Sequence, residues 1–297
     1  MKIFALTPLS MLCALSLTAC GGGSSSGGGS STGQLSLAIT DAPVDEADAV
    51  VVAFDSVEFQ GPERTTLELD ETATINLLDF QNGESFTLVD AETLPAGEYQ
   101  FIRLGINEDD TYIEVAGEQF PLTVPSGSQS GLQLNRGFTL AAGGVSQFTI
   151  DFDLRKSITM QGNGSYRLRP TLRIVDNLEV GSIAGTVSDS LITDVNCNNG
   201  DNNDIGNVVY LYSGLDASVI DVQDLETDPL ASTNATFNSE TSAYEFTLAF
   251  VEAGDYTLAF TCDAVLDDPE VDDSETVVFT EGMNVTVESE QQATVTF

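Results

Sequence analysis

The sequence has no histidine and no tryptophan, and 9 Lys and Arg face 47 Asp and Glu in 297 residues, a formal charge of −38. Each shortage removes a class of chemistry. Without imidazole there is no Ser-His-Asp or Cys-His machinery, no zinc-protease His-Glu motif and no imidazole metal ligand, so the commonest acid-base group near neutral pH is missing. A polyanion repels nucleic acid, whose sequence-independent affinity comes from Lys and Arg displacing counterions, and no nucleic-acid partner is expected. Without Trp, the aromatic platforms of most carbohydrate modules have to come from the seven Tyr. Tyr210 and Tyr212 share parity on one segment, a pattern that core packing also produces. Carboxylate-only catalysis needs two acids flanking a cleft, and in so acidic a chain such pairs carry no specificity. With no nameable nucleophile, base or metal centre the chain reads as a non-enzyme, carboxylate-based glycoside hydrolysis being the catalytic alternative. Long hydrophobic runs are missing too, since the apolar stretch from Ile3 to Leu17 is too short to cross a bilayer as a helix.

What is present at the N-terminus is an export signal over residues 1–20: one charge at Lys2, an apolar run, and Leu17-Thr18-Ala19-Cys20 to end it. Leu-Thr-Ala-Cys resembles the lipobox of bacterial lipoproteins, in which the Cys is acylated and becomes the mature N-terminus; an ordinary cleaved secretory signal is the alternative. Residues 21–33 contain only Gly, Ser and Thr, a flexible tether with an r.m.s. reach of roughly 20 Å. The resemblance implies lipidation of Cys20, a membrane partner through the lipid anchor, and outer-membrane sorting, because Gly21 stands where a retention Asp is found in Gram-negative lipoproteins. Of the four Cys, Cys13 falls in the signal and Cys20 in the lipobox. Cys197 and Cys262 remain, and in an exported domain they are expected to pair as a disulfide, with two buried free thiols as the alternative.

Past the tether the segments are short, period-2 and punctuated by turn residues. The fold class is all-β: two consecutive antiparallel β-sandwiches, residues 34–178 and 179–297. Phe148, Ile150, Phe152 and Leu154 alternate with Gln147, Thr149, Asp151 and Asp153, and Tyr244, Phe246, Leu248 and Phe250 with Glu245, Thr247 and Ala249, the signature of strands with one wet face. Within Val50 to Phe59 the apolar parity switches near Asp55-Ser56, which predicts a β-bulge. Continuous strands are expected at 131–140, 166–175 and 276–280, and a short helix at Asp216 to Leu225. All nine basic residues precede residue 174, and from there to the C-terminus there are 25 acids and no Lys or Arg. This composition shift marks the boundary between the two sandwiches. Each carries a similar turn and strand, Leu94-Pro-Ala-Gly-Glu-Tyr99 and Val251-Glu-Ala-Gly-Asp-Tyr256.

With Gly181-Ser-Ile-Ala-Gly-Thr-Val187, Tyr244-Glu-Phe246 and Ala253-Gly-Asp-Tyr-Thr257, residues 181–297 resemble the carboxypeptidase-regulatory-like (transthyretin- or prealbumin-like) β-sandwich, a module that is usually non-catalytic. Residues 34–176, with Leu35-Ser-Leu-Ala-Ile-Thr-Asp-Ala-Pro-Val44 and Tyr166-Arg-Leu-Arg-Pro-Thr-Leu-Arg173, resemble a domain of unknown function found near the N-terminus of bacterial lipoproteins. Neither resemblance supplies a catalytic residue. The second half has no Lys, so the internal Lys-Asn isopeptide cross-link of some adhesin domains is impossible there.

Two constellations are candidate sites. Asp194, Asn196, Asn198, Asp201 and Asp204 offer hard oxygen ligands in a turn-rich loop suited to Ca²⁺, and a second loop, Asp263 to Glu275, adds Asp267 and Asp268 among seven acids. The Cys197–Cys262 bridge brings the loops together. The first is no EF-hand, because Asn199 and Ile205 occupy the places of the invariant Gly and the bidentate Glu, and two solvated acidic loops are the other reading. The second constellation is basic: Arg167, Arg169 and Arg173 share parity along 166–175, with Arg155 and Lys156 nearby, a stripe suited to sulfate, phosphate or uronate. Cross-strand pairing of these arginines with Asp151 and Asp153 is the competing reading. The expected function is a non-catalytic, lipid-anchored binding or structural module of the cell surface or periplasm with a glycan or envelope protein as partner; the alternative is a glycan-binding accessory lipoprotein that uses either the basic stripe or a calcium-organised pair of acidic loops.

Overall fold

The computed structural model describes residues 31–42, 47–125, 131–194, 197, 205–223, 225 and 227–297. The signal, Cys20 and most of the tether lie outside the described residues. The first half forms β1 (Thr32–Ala42), β2 (Ala49–Gln60), β3 (Arg64–Asn76), β4 (Phe86–Pro95), β5 (Gly97–Tyr99), β6 (Phe101–Ile106), β7 (Tyr112–Val115), β8 (Glu118–Thr123), β9 (Leu132–Leu134), β10 (Phe138–Leu140), β11 (Val145–Asp153), β12 (Ile158–Met160), β13 (Tyr166–Leu168) and β14 (Thr171–Asp176). A four-stranded sheet runs β14-β11-β1-β4, and an eight-stranded sheet runs β12-β13-β8-β7-β2-β6-β9 with β3 paired on β2. Leu37, Ile39, Phe152 and Ile150 from the first sheet meet Val52, Phe54, Val57 and Leu104 from the second in one apolar core.

The second half forms β15 (Val180–Val187), β16 (Val208–Ser213), β17 (Ala231–Asn234), β18 (Thr236–Asn238), β19 (Ala243–Glu252), β20 (Gly254–Thr261), β21 (Met283–Val287) and β22 (Gln292–Thr296). They make two four-stranded sheets, β18-β19-β15-β22 and β17-β16-β20-β21, around a separate core that includes Ile183, Val209, Leu211, Phe246, Leu258 and Phe260. Strand β16 is buried on both faces. Val208, Tyr210 and Tyr212 point away from that core into a smaller one with Val222, Ala259 and Ala264. The two tyrosines are therefore core residues and no carbohydrate platform.

The bulge read from the parity switch is present: the register of β2 against β3 and β6 shifts between Phe54 and Ser56, so that both Phe54 and Val57 are fully buried. Four expectations change. The sheets are not wholly antiparallel, because β1 pairs with β11, β8 with β13 and β15 with β22 in parallel. These partners are far apart in sequence, so no short hairpin dictates their direction. The stretches 131–140 and 166–175 each break into two strands that enter different sheets. At the second break Pro170 has no N–H, and Ser157 takes up the flanking ones, its carbonyl accepting from Arg169 N at 2.7 Å and its hydroxyl from Thr171 N at 2.8 Å. Residues 276–280 contribute only a bridge, Phe279 to Thr261.

The fourth change concerns Asp216 to Leu225, which is no helix where described. Its backbone donors go to other elements: Ala217 N to Thr257 Oγ1 at 3.1 Å and Val222 N to Asp267 Oδ1 at 3.1 Å, while its Ile220 carbonyl accepts from the Tyr212 hydroxyl at 2.6 Å. Backbone groups spent this way cannot close i→i−4 bonds.

The repeated Ala-Gly-acid-Tyr motif performs the same task twice. In each half the Ala-Gly pair turns the chain between strands, and the tyrosine hydroxyl donates back to the carbonyl four residues upstream, Tyr99 to Pro95 at 2.7 Å and Tyr256 to Glu252 at 2.8 Å. Both rings are buried. This ties a strand corner as the tyrosine corner of immunoglobulin sandwiches does. Cys197 and Cys262 form the expected disulfide, 65 residues apart in sequence.

Two stability measurements test these assignments. Tyr99→Phe and Tyr256→Phe each lower the free energy of unfolding in urea by about 1 kcal/mol, the net value of one buried hydrogen bond; no change in either would show that the corner is tied by packing alone. Replacing both Cys197 and Cys262 by Ala lowers it by roughly 4 kcal/mol, the chain-entropy value for a loop of this length.

Candidate functional site

Of the alternating polar positions of β11, Gln147 is exposed but the other three are not wet. Thr149, Asp151 and Asp153 are buried as fully as Phe148, Ile150 and Phe152 on the other face, because the second half packs against this sheet. Strand β1 neighbours β17 and β14 neighbours β19, and Gly83 approaches Ala249 closely enough that an added Cβ would lie 3.3 Å from its side chain. The junction between the halves is thus built on a charged sheet face, and the buried charges need partners there. Asp151 lies opposite Arg173 across the β11–β14 pair and accepts from Nη2 at 2.6 Å and Nε at 3.2 Å. Burial nevertheless raises the Asp151 carboxyl above its ordinary range.

The one-turn helix Leu154–Ser157 that follows β11 carries two further cations across the junction. Asp153 caps it, its Oδ1 accepting from Lys156 N at 3.2 Å. Arg155, 5% exposed, donates to the Ala264 carbonyl at 3.1 Å and places its guanidinium carbon 5.8 Å from the centre of the Tyr210 ring. The Lys156 ammonium donates to the Pro229 carbonyl and lies 3.3 Å from Asp153 Oδ2. Arg136 pairs with Glu252 and donates to the Ile174 carbonyl at 2.7 Å, and Arg169 faces Glu270 at 3.6 Å.

The expected basic stripe is therefore not one face. Arg167 stands on β13 and reaches Gln161 at 3.2 Å, Arg169 sits in the break at Pro170, and Arg173 stands on β14 in the other sheet. Cross-strand pairing with Asp151 holds for Arg173. Arg155, Lys156 and Arg169 instead meet the acidic half. Between Lys156, Thr159 and Arg169 on one side and Gln223, Asp228 and Glu270 on the other runs a cleft of ≈ 480 Å³.

The expected calcium ligands are only partly brought together. Asn196, Asn198, Asp201 and Asp204 lie outside the described residues, and Asp194 stands at the edge of that loop. Asp268 turns its carboxylate to the Glu270 N–H at 3.0 Å. Asp267 instead converges with Asp221 and Asp273, with one oxygen of each within 4.8 Å of the others, the group among the described residues that could hold a metal ion. Asp221 accepts from Gln223 Nε2 at 2.7 Å and from Asp273 N at 2.5 Å, and Asp267 accepts from the Tyr210 hydroxyl at 2.6 Å. Asp221 falls in the stretch expected to be helical, which hid it. A signal for it did exist, an acid between apolar Ile220 and Val222, but that pattern has no unique reading. Asp268, Asp272 and Asp273 of the second loop accept from N–H groups of the same loop, and Asp272 is held below its ordinary range by hydrogen bonds from Ser274.

Residues 32–170 match the model of a domain of unknown function, DUF4382. No curated protein matches the sequence. Among solved structures, the Bacillus anthracis TIE protein is 11% identical, with 90% of this chain and 34% of that chain covered and a TM-score of 0.21. The minor pilin of Streptococcus agalactiae is 13% identical, covering 88% and 94%, with a TM-score of 0.20. A family 26 carbohydrate-binding module of Eubacterium rectale, solved with maltoheptaose, is 12% identical, covering 89% and 92%, with a TM-score of 0.20. Likeness this remote carries no argument about function, and the chain spans only 34% of the length of the first.

Two substitutions probe the site. Arg155→Ala removes a charged hydrogen bond and a ring contact from the junction and lowers the stability of the chain by about 2 to 3 kcal/mol; a loss below about 0.5 kcal/mol, the size of a neutral surface change, would show that the guanidinium is not a joint. Burial raises the Asp267 carboxyl from 3.8 to about 6. The folded chain holds that proton more tightly than the unfolded one, so its stabilising contribution is complete below about pH 4 and lost as pH rises through about 6. In metal-free buffer Asp267→Asn flattens this part of the midpoint-versus-pH curve, and an unchanged slope counts against the assignment.

Proposed function

We propose that the chain is a non-catalytic, lipid-anchored module of the Gram-negative cell envelope, in which the two sandwiches act as one rigid body held off the outer membrane by the Gly-Ser tether. The observation that supports this reading most is the use of the scarce cations. Arg136, Arg155, Lys156 and Arg169 each reach an atom of the acidic half. A hinge between the halves would forfeit those contacts, so the body is suited to spacing or presenting a surface. The lipobox-like Leu17-Thr-Ala-Cys20 supports the anchor, and the two four-stranded sheets of residues 180–297 support a carboxypeptidase-regulatory-like second domain.

The cleft of ≈ 480 Å³ between the halves favours a second reading, a glycan site. Its walls carry hydroxyl, amide, carboxylate and guanidinium groups beside Val222, Leu225 and Pro269, a mixture that suits the alternating polar edges and apolar faces of a sugar.

Two experiments decide between these readings. Cys20→Ser releases the protein from the membrane fraction into the soluble envelope fraction; retention of the variant in the membrane would remove the anchor. On a glycan array the wild-type chain binds a ligand and Arg169→Ala with Gln223→Ala loses it by about tenfold or more, the loss of one or two hydrogen bonds. An array without hits leaves the structural role as the function.

A further inference from the structure

The charged side chains lining the ≈ 480 Å³ cleft between the halves fall into two sets. Lys156 and Asp228 are committed. The ammonium donates to the Pro229 carbonyl and lies 3.3 Å from Asp153, and both oxygens of Asp228 accept from Gln223 N at 3.2 Å. Arg169 and Glu270 are not. They face each other across the junction at 3.6 Å, too far for a hydrogen bond, with both side chains more than half exposed, and neither end group makes a hydrogen bond among the described residues.

Other uncommitted groups accompany this pair. Gln223 donates through Nε2 to Asp221 at 2.7 Å and to Asp272 at 3.2 Å, which leaves its amide oxygen without a donor among the described residues. Thr171, exposed on the first-half wall, carries a hydroxyl. Beside them lie Pro269 and the aliphatic side chain of Leu225, which is 51% exposed. The volume is within the roughly 300–1,000 Å³ of small-molecule sites.

A guanidinium only donates and a carboxylate only accepts, so a ligand seated between Arg169 and Glu270 has to offer an acceptor to one and a donor to the other at close spacing. Neighbouring hydroxyls of a sugar ring meet this requirement, because each hydroxyl both donates and accepts. A uronate or sulfate group satisfies Arg169 but meets a like charge at Glu270, and Lys156, the other cation of the cleft, is already committed. The second-half wall adds to that repulsion, since the chain from residue 174 onward carries 25 acids and no Lys or Arg. An ammonium suits Glu270 and is repelled by Arg169. Resting on the glycan reading of this cleft, we propose that its ligand is a neutral glycan, held by adjacent ring hydroxyls that accept from Arg169 and donate to Glu270, with a C–H face of the ring against Leu225 and Pro269, and that the same pair excludes acidic glycans.

The test applies the full chain to an array of neutral glucan, mannan and xylan oligosaccharides beside oligogalacturonate, hyaluronate and heparin fragments, followed by calorimetric titration of the strongest neutral hit and of oligogalacturonate. The wild type is expected to bind neutral members alone. Glu270→Gln keeps the size of an exposed side chain and removes its charge; it weakens neutral binding by about tenfold, the loss of a hydrogen bond to a charged group, and raises the affinity for oligogalacturonate, because Arg169 no longer faces a carboxylate. Hits confined to acidic glycans overturn this proposal while the glycan reading stands, as does a Glu270→Gln variant that keeps full neutral binding or gains no affinity for oligogalacturonate. An array without hits overturns both.

Discussion

Burial of a charged sheet face at a junction between two sandwiches is the constraint on which the rest of this structure depends. One face of the β14-β11-β1-β4 sheet fills an apolar core, and the other, carrying Asp151 and Asp153, is covered by the second half of the chain. Taking carboxylates out of water is costly unless opposite charges and hydrogen bonds replace the solvent. Five of the nine cations, Arg136, Arg155, Lys156, Arg169 and Arg173, are placed to do this or to bridge the same boundary.

The scarcity of Lys and Arg takes on a different meaning in that light. In a chain of formal charge −38, the basic residues are too few to shape the field around the molecule, and they act at short range. Arg173 offsets Asp151, Arg155 reaches into the second half to a backbone carbonyl and a tyrosine ring, and Arg136 clasps Glu252. The acidic half supplies carbonyls and carboxylates as acceptors and needs no cation of its own. Its loop Asp263 to Glu275 avoids the repulsion expected of seven neighbouring acids by pointing several of them at backbone N–H groups of the same loop and of Val278.

Much of the fold was legible because the period-2 signal is local. The bulge at Asp55-Ser56 followed from a switch of parity within ten residues, and the twin Ala-Gly-acid-Tyr turns were visible as a repeat. Elements were misread where a partner distant in sequence decided the outcome. Asp216 to Leu225 has a composition compatible with a helix, yet its N–H groups are claimed by Thr257 and Asp267. The run 166–175 alternates as one strand should, yet Pro170 and Ser157 divide it between two sheets. Asp151 and Asp153 alternate with apolar residues as solvent-facing positions do, and nothing local states that the second half of the chain covers them. The candidate site suffered in the same way, because Asp221 becomes conspicuous only when segments far apart in sequence are set side by side.

By itself the sequence determined the strand-rich architecture, the split between a half holding every cation and a half holding none, the pairing of Cys197 with Cys262, and the absence of imidazole chemistry. These depend on composition and on contacts within a few residues, where side-chain alternation and charge leave little freedom. Only the tertiary structure decided which polar face is wet and which arginines are spent at the junction. Those outcomes depend on the packing of one sheet on another, a long-range choice that the short-range pattern of residues does not encode.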